Sequence, residues 1–339
     1  MPHPIRRGSD LVIERCGCSA ELKRVCDLCD GAPGVFVACS LACLERHQRR
    51  AHADFSEDPR ARAIAYLTKV NRQIEGSWES YRGHRDRLMD LVEATPRGGD
   101  IGIFGAGNGS DVDLVRLLRS FDEVHLVDLD GEALERARGQ VEARERERVV
   151  AHPGIDLSGF LGRLDVWGER LPEPHELGPL AVVSAQEIVQ AVGRPFDVVL
   201  STSVLSQLMA PFQRAWVMST SHWARLKAAI TAVHLATLAG STRPGGSGVM
   251  AFDVLSSKDV PGLVDQADKS DELLSAFVET SVANGAELEH DPAALLQMLR
   301  SPALAALFET PRLTSPWLWN LGAAVQLVYG LEFKRPIIP

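Results

Sequence analysis

Beyond residue 43 this chain of 339 residues has no cysteine; all six lie between Cys16 and Cys43. A secreted disulfide framework spreads its bridges along the chain, so this clustering argues against one and for a metal site. Aromatic residues are sparse, at 6% with three tyrosines. No apolar run approaches the roughly 18 residues of a membrane-spanning helix, so no membrane partner is expected. Met1 to Asp10 carry Pro, His and Arg with no apolar run behind them. That is not a signal peptide, and the chain reads as cytoplasmic. Basic charge is short as well: 36 Lys and Arg stand against 45 Asp and Glu, a net charge of -9. A surface built to neutralise many phosphates would be basic, which disfavours extended nucleic-acid binding. The apolar share of 45% and charged share of 24% exclude wholesale disorder. The length corresponds to about two domains at roughly 150 residues each.

What the N-terminal region does hold is metal chemistry. Its donors fall into four pairs: Cys16 and Cys18, Cys26 and Cys29, Cys39 and Cys43, His47 and His52. Six thiols and two imidazoles suffice for two closed tetrahedral zinc sites. Cys39, Cys43 and His47 recur every four residues, which predicts one face of a helix. Zinc in such a site acts as a staple for a segment too short to build its own core. Spacing alone leaves the pairing open, nested or interleaved. Arg46, Arg49 and Arg50 read as a solvated helix face, given Glu45 and the acidic stretch Asp54 to Asp58 beside them.

Residues 16 to 52 resemble the MYND and HIT classes of small zinc finger. The resemblance rests on the gap Ser19 to Val25, the Cys26-x-x-Cys29 pair, Val35-Phe36-Val37, Cys39-Ser40-Leu41-Ala42-Cys43 and the His-rich end. It implies a cross-brace, with one zinc on Cys16, Cys18, Cys39 and Cys43. The other would sit on Cys26, Cys29, His47 and His52. This chain departs from the pattern in its Cys-x-Cys first pair and its histidine as last ligand. Such fingers imply a protein partner or packing against a neighbour.

A helical bridge comes next. Asp58-Pro59 has the form of a helix start, and Ile64, Leu67, Val70, Ile74 and Trp78 recur at spacings of three and four. A second helix is expected from about Ser80 to Val92, ended by Thr95-Pro96-Arg97-Gly98-Gly99. Trp78, Tyr81, His84 and Arg85 either fill core and surface positions or line a pocket.

The remainder alternates strands and helices, which predicts a doubly wound parallel sheet. Ile101 to Phe104 read as a buried strand, succeeded at once by Gly105-Ala106-Gly107-Asn108-Gly109. Ser110 and Asp111 are expected to open a helix with Val112, Val115 and Leu118 on one face. Strand, glycine-rich turn and helix together let a backbone approach a nucleotide closely. Val124 to Asp128 form a second strand ending in an acid that can bond a ribose diol. Further strands are expected at Val149 to His152, Phe196 to Ser201, Gly248 to Val254 and Val325 to Phe333. A long helix is expected over roughly Ala224 to Leu238, and Arg243-Pro244-Gly245-Gly246 as a turn.

This order resembles the class I S-adenosylmethionine-dependent methyltransferases over roughly 97 to 256, with the chain end supplying a late strand. The resemblance implies a Rossmann-like, mostly parallel seven-stranded sheet. It places Gly105, Ala106, Gly107, Asn108 and Gly109 beside the methionine moiety, Asp128 and Leu129 at the ribose, and Asp156 with Leu157 at the adenine. Ser201 and Thr202, with Ser203 after them, fall where the fourth strand meets cofactor and substrate. The family often carries an acid two residues before the first loop glycine; here that residue is Ile103. Asp111 or a bridge residue is left to serve the cofactor amino group.

The expected domains are a zinc finger over 1–55, a bridge over 56–96 and a methyltransferase domain over 97–339. Insertions at about 158–195 and 258–316 could shape an acceptor pocket. The reaction expected is methyl transfer to a small molecule or peptide, with structural zinc in the finger. The alternatives are an interaction protein on a relic fold and a nucleic-acid methyltransferase, which the acidic charge disfavours. No base is evident; His222 and His234, flanking the helix after the fourth strand, are weak candidates.

Overall fold

The computed structural model describes residues 12–18, 24–26, 29, 34–51, 58–164, 172–215, 220–267, 269–322 and 324–337. The chain clusters into two compact units. One comprises Met1–Leu67, Ser158–Ser184 and Gln207–Val233; the other comprises Thr68–Leu157, Ala185–Ser206 and His234–Pro339. Among the described residues no helix is long and apolar enough to cross a membrane.

In the first unit a small sheet has the order β1-β3-β2, formed by Val12–Arg15, Gly34–Ala38 and Arg24–Val25. β1 runs parallel to β3 and β2 antiparallel to it. A helix, Leu41–Ala51, comes after β3. It begins later than the four-residue spacing suggests. The Ser40 hydroxyl accepts from the amide of Cys43 at 3.3 Å, as an N-cap does, and leaves Cys39 outside the helix. The apolar core here is small: Cys26, Cys29, Ala38 and Leu44, with Cys16, Phe36 and Cys43 packed against them.

The second unit holds the α/β sheet. Its strands are β4 (Asp100–Phe104), β5 (Glu123–Asp128), β6 (Val149–Pro153), β7 (Phe196–Thr202), β8 (Thr242–Ser256), β9 (Glu309–Leu313), β10 (Trp317–Asn320) and β11 (Val325–Lys334). The order is β10-β11-β8-β7-β4-β5-β6, with β9 also paired to β11. β4 to β8 run parallel; β11 is antiparallel to β8, β9 and β10. This is the Rossmann-like, doubly wound, mostly parallel sheet expected. Strand order reverses at β4, which has β5 on one side and β7 on the other. In such sheets the ligand crevice opens beyond the carboxyl ends of the strands at the reversal.

β4, β7 and β8 read as continuous apolar runs because both their faces are covered. β8 begins six residues before the strand expected at Gly248. The Arg243-Pro-Gly-Gly segment lies inside it, because Gly245 donates to the Arg335 carbonyl at 2.8 Å and Arg335 to that of Gly246 at 3.0 Å. At the amino ends of the strands, charges are neutralised in one network. Arg194 pairs with Asp100 and Glu123, and Arg243 with Asp100 and Asp197. Asp197 also accepts from the amide of Asp100 at 2.8 Å, which fastens β4 to β7.

A side chain at Gly102 would run into the ring of Phe196. Gly102→Ala is therefore expected to lower stability by about 1–3 kcal/mol through overpacking. Thermal melts of Gly102→Ala and of Gly102→Ala with Phe196→Leu check this; the second change should restore part of the loss.

Candidate cofactor site and metal centres

The candidate cofactor site starts where β4 ends. Gly105 has φ +77, and a Cβ on it would lie 2.6 Å from that of Val204. Only glycine meets both demands. Its amide donates to the Val127 carbonyl at 2.9 Å, and its own carbonyl accepts from the Thr202 hydroxyl at 2.7 Å. Gly107 and Gly109 are also left-handed, at φ +47 and +70. The loop thus turns its amides towards β5. Gly107 donates to Asp128 Oδ2 at 2.9 Å, and the amide of Asp130 to Asp128 Oδ1 at 2.9 Å. Burial pushes the Asp128 carboxyl above its ordinary range, against those amides of Asp130 and Gly107. Hydroxyls donated by a ligand would relieve that penalty.

Asn108 is buried. Its side chain donates to the Asn71 carbonyl at 2.6 Å and accepts from Arg136 Nε at 2.9 Å. Asn71 in turn donates to Asp130 at 2.9 Å. Asn71 thus ties the end of the helix Pro59–Gln73 to both sides of the loop. Sequence reasoning missed it; the available signal was a single Asn between Val70 and Ile74 on an apolar helix face. Ala106 and Leu157 are buried, and Leu129 and Asp156 half-buried. The amide of Ile155 donates to the Asp128 carbonyl at 3.2 Å, which brings the turn after β6 to the end of β5.

At the end of β7, Ser201 and Thr202 are buried, and Ser203 holds φ +47. Its hydroxyl is buried without a partner among the described residues. Strain and an unpaired hydroxyl at a strand end are features of ligand sites. His234 Nε2 lies 2.7 Å from Ser201 Oγ. The imidazole is fully buried, and burial pushes its pKa down to about 3. It is neutral and orients the serine. His222 is half-buried in the helix Thr220–Ser241.

The bridge helix Arg82–Glu93 contributes a second polar group. His84 stacks on Trp319 at 4.2 Å, and its Nδ1 accepts from Trp317 Nε1 at 3.1 Å. Its Nε2 faces Asp111 Oδ1 at 3.7 Å. Burial, with the nearby charge of Arg85, pushes the His84 pKa down to about 3. Asp111 was expected inside a helix. The helix instead starts at Leu114, because Asp113 caps it by accepting from the amide of Arg116 at 3.0 Å. That leaves Asp111 in the turn, where burial pushes its carboxyl up to about 7 against the opposing charge of Arg85.

In the finger, Cys16, Cys18, Cys39 and Cys43 come together, as do Cys26, Cys29 and His47, each set with its donor atoms within 4.8 Å of one another. His52 lies outside the described residues. Sulfur separations of 3.6 Å for Cys18 to Cys43 and 3.7 Å for Cys39 to Cys43 suit a tetrahedral ion. Zinc–sulfur bonds of about 2.3 Å put sulfurs about 3.8 Å apart. Cys29 Sγ lies 3.2 Å from His47 Nε2, and Phe36 stacks on that imidazole at 3.9 Å. The donor sets therefore fit zinc. A third grouping, Asp100, Glu123 and His125, belongs to the arginine network at the amino ends of the strands.

No family model and no curated protein matches this sequence. Among solved structures, it is similar to DhpI in complex with SAM and HEP: 12% identity over 82% of this chain and 99% of that one, TM-score 0.40. It is similar also to the O-methyltransferase from Bacillus cereus in complex with SAH, at 13% over 86% of this chain and 97% of that one, TM-score 0.34. A third is an rRNA methylase from Streptococcus thermophilus, at 12% over 74% and 93% respectively, TM-score 0.31. Similarity at this level says nothing of reaction or substrate.

The raised carboxyl of Asp111 makes a pH prediction. A folded pKa above the unfolded one contributes stability at low pH that is lost as pH rises through about 7. Asp111→Asn mimics the protonated form. Its melting temperature should exceed wild type most at pH 8, by less at pH 5, and match it only below the ordinary carboxyl value of 3.8; an equal offset at every pH would refute the assignment.

Proposed function

We propose that this chain is an S-adenosylmethionine-dependent methyltransferase acting on a small-molecule or peptide acceptor, with an N-terminal zinc finger. The observation that carries the reading is the left-handed loop at the reversal of strand order, with Asp128 at the end of the neighbouring strand receiving a loop amide. Bound there, S-adenosylmethionine would supply an electrophilic methyl group on a sulfonium. Gly105 to Gly109 would hold the methionine side, Asp128 with Leu129 the ribose, and Asp156 with Leu157 the adenine. Ser201 and Thr202 would line the crevice at the end of β7.

Methyl transfer is an in-line displacement, so the chain's work is mainly to fix geometry. Neutral His234 holds Ser201 in place. His222 is the other imidazole that could accept a proton. The expected division is a finger over 1–55, a bridge over 56–96 and a methyltransferase domain over 97–339, working in the cytoplasm. In the finger, Cys16, Cys18, Cys39 and Cys43 would hold one zinc, and Cys26, Cys29, His47 and His52 the other. The finger is a staple and a docking module for a protein partner.

Isothermal titration of zinc-loaded protein with S-adenosylmethionine should give micromolar binding. Asp128→Ala should weaken it about tenfold or more, each decade being about 1.4 kcal/mol. Absence of heat in the wild type sinks the reading. Metal analysis should return about two zinc per chain. Chelation should melt the finger before the sheet, because the metal supplies the folding energy that its small core lacks.

A further inference from the structure

One corner of the α/β sheet holds a cavity that the cofactor reading does not use. It has a volume of about 610 Å³ and lies over β8, β11 and β9, past the end of the helix Arg82–Glu93. Small-molecule sites have volumes of about 300–1,000 Å³. The cavity is remote from the glycine loop. Ser247 on β8 pairs with Val198 on β7, and Val198 with Ile101, near the start of β4. The loop follows the other end of that strand, Phe104.

Register sets the lining. Arg312, Glu332 and Val249 are cross-strand partners in one row, and Lys334 and Ser247 in the next. Partners in register share a face of the sheet. Val249 packs in the core with Leu88, Met89 and Val92, so this is the face that the helix covers. The helix stops at Glu93 and leaves the last two rows without that cover. Ala94 and Pro96 supply an apolar wall instead.

Three features distinguish this lining from a packing gap. Ser247 is only 6% exposed, and its hydroxyl has no hydrogen bond among the described residues. Lys334 is exposed and has neither an ion pair nor a side-chain hydrogen bond among them. Glu309, opposite it in β9, does not line the cavity. Thr310 lines it and holds φ +48 where the β9–β11 register shifts, a conformation that favours glycine. Strain of that kind persists at ligand clamps.

The charges narrow the ligand. Arg312 Nε lies 3.0 Å from Glu332 Oε2, and its two Nη atoms have no acceptor among the described residues. With Lys334 and Glu332 counted, the lining carries one net positive charge. A monoanion matches that charge, and Glu332 opposes a dianion. The free edge of a guanidinium is a fork that suits a carboxylate.

We propose that this cavity is a second small-molecule site, for an organic monocarboxylate. The carboxylate lies between Arg312 and Lys334, with the hydroxyls of Ser247 and Thr310 beside it. The apolar part of the ligand lies against Ala94 and Pro96. The site is independent of the methyltransferase reading.

NMR titration of the full, zinc-loaded chain tests this with benzoate, 3-phenylpropionate and indole-3-acetate, each compared with its neutral amide. At least one acid should bind with a dissociation constant of about 1 mM, as ligands of this size do. It should shift the backbone amide signals of Ser247 and Lys334. Its neutral amide should bind about threefold more weakly or worse. Arg312→Met and Lys334→Met keep the stems and remove the charge. Each should weaken the acid about threefold or more and leave the neutral amide within about twofold. Glu332→Gln should strengthen the acid about threefold, a gain that damage to the fold would not produce. Failure of all three acids to bind overturns the proposal. So do equal affinities for acid and amide, unchanged affinity in both cation variants, a loss with Glu332→Gln, or shifts confined to Gly105–Gly109. Arg312 and Lys334 are exposed, so their replacement spares the core; if one variant does not fold, the other decides.

Discussion

Three strands of the sheet meet at the backbone of Gly105. Its amide is bound by β5, its carbonyl by the hydroxyl at the end of β7, and its α-carbon lies under Val204. The residue directly follows β4, the strand at which the order reverses. No side chain fits there, and no right-handed conformation makes all three contacts. The remainder of the site depends on that pinned turn. It directs the amide of Gly107 to Asp128, and it sets Asn108 where Asn71 and Arg136 can clasp it. It also delivers Ser110 and Asp111 to the bridge helix. The site is a backbone feature first, and its side chains are arranged around it.

The two ends of the strands treat charge oppositely. At the amino ends, three carboxylates meet two arginines, and every charge has a partner. Such a network fixes strand against strand and leaves nothing for a ligand to satisfy. At the carboxyl ends, among the described residues, Asp128 accepts only from amides, Asp111 has no hydrogen bond, and Ser203 is left-handed with a buried, unpartnered hydroxyl. Features that cost stability collect where a ligand can offset them, which is how sites differ from scaffolds.

Much of this was legible in the sequence because it is local. A strand leading into Gly-x-Gly-x-Gly, and an acid ending the next strand, are readable from spacing alone. So is the grouping of cysteines by type. What was not legible depends on partners far along the chain or on competition between neighbours. Asp113 outcompetes Ser110 and Asp111 for the helix cap, and Ser40 caps ahead of Cys43, so two helices begin later than their periodicity implies. The Arg243-Pro-Gly-Gly segment reads as a turn, but pairing with Arg335, some ninety residues on, draws it into β8. Arg85 reads as a surface arginine on a helix; its burial comes from Trp78 and Ser110, neither of which marks it in the sequence.

The thiols of the finger shift one another's titration. Four thiols stand close enough to donate to one another, and hydrogen bonds that hold the Cys18 thiol to Cys43, Cys39 and Cys16 keep it protonated and push it up to about 12. The amide of Cys18, foremost, pulls Cys16 down to about 7. A divalent ion bound by such a set would replace the protons and neutralise several thiolates at once. With the cysteines gathered in the finger, the sheet is left to work with amides, carboxylates, an arginine and neutral imidazoles. Those groups are suited to orienting a bound molecule rather than attacking it.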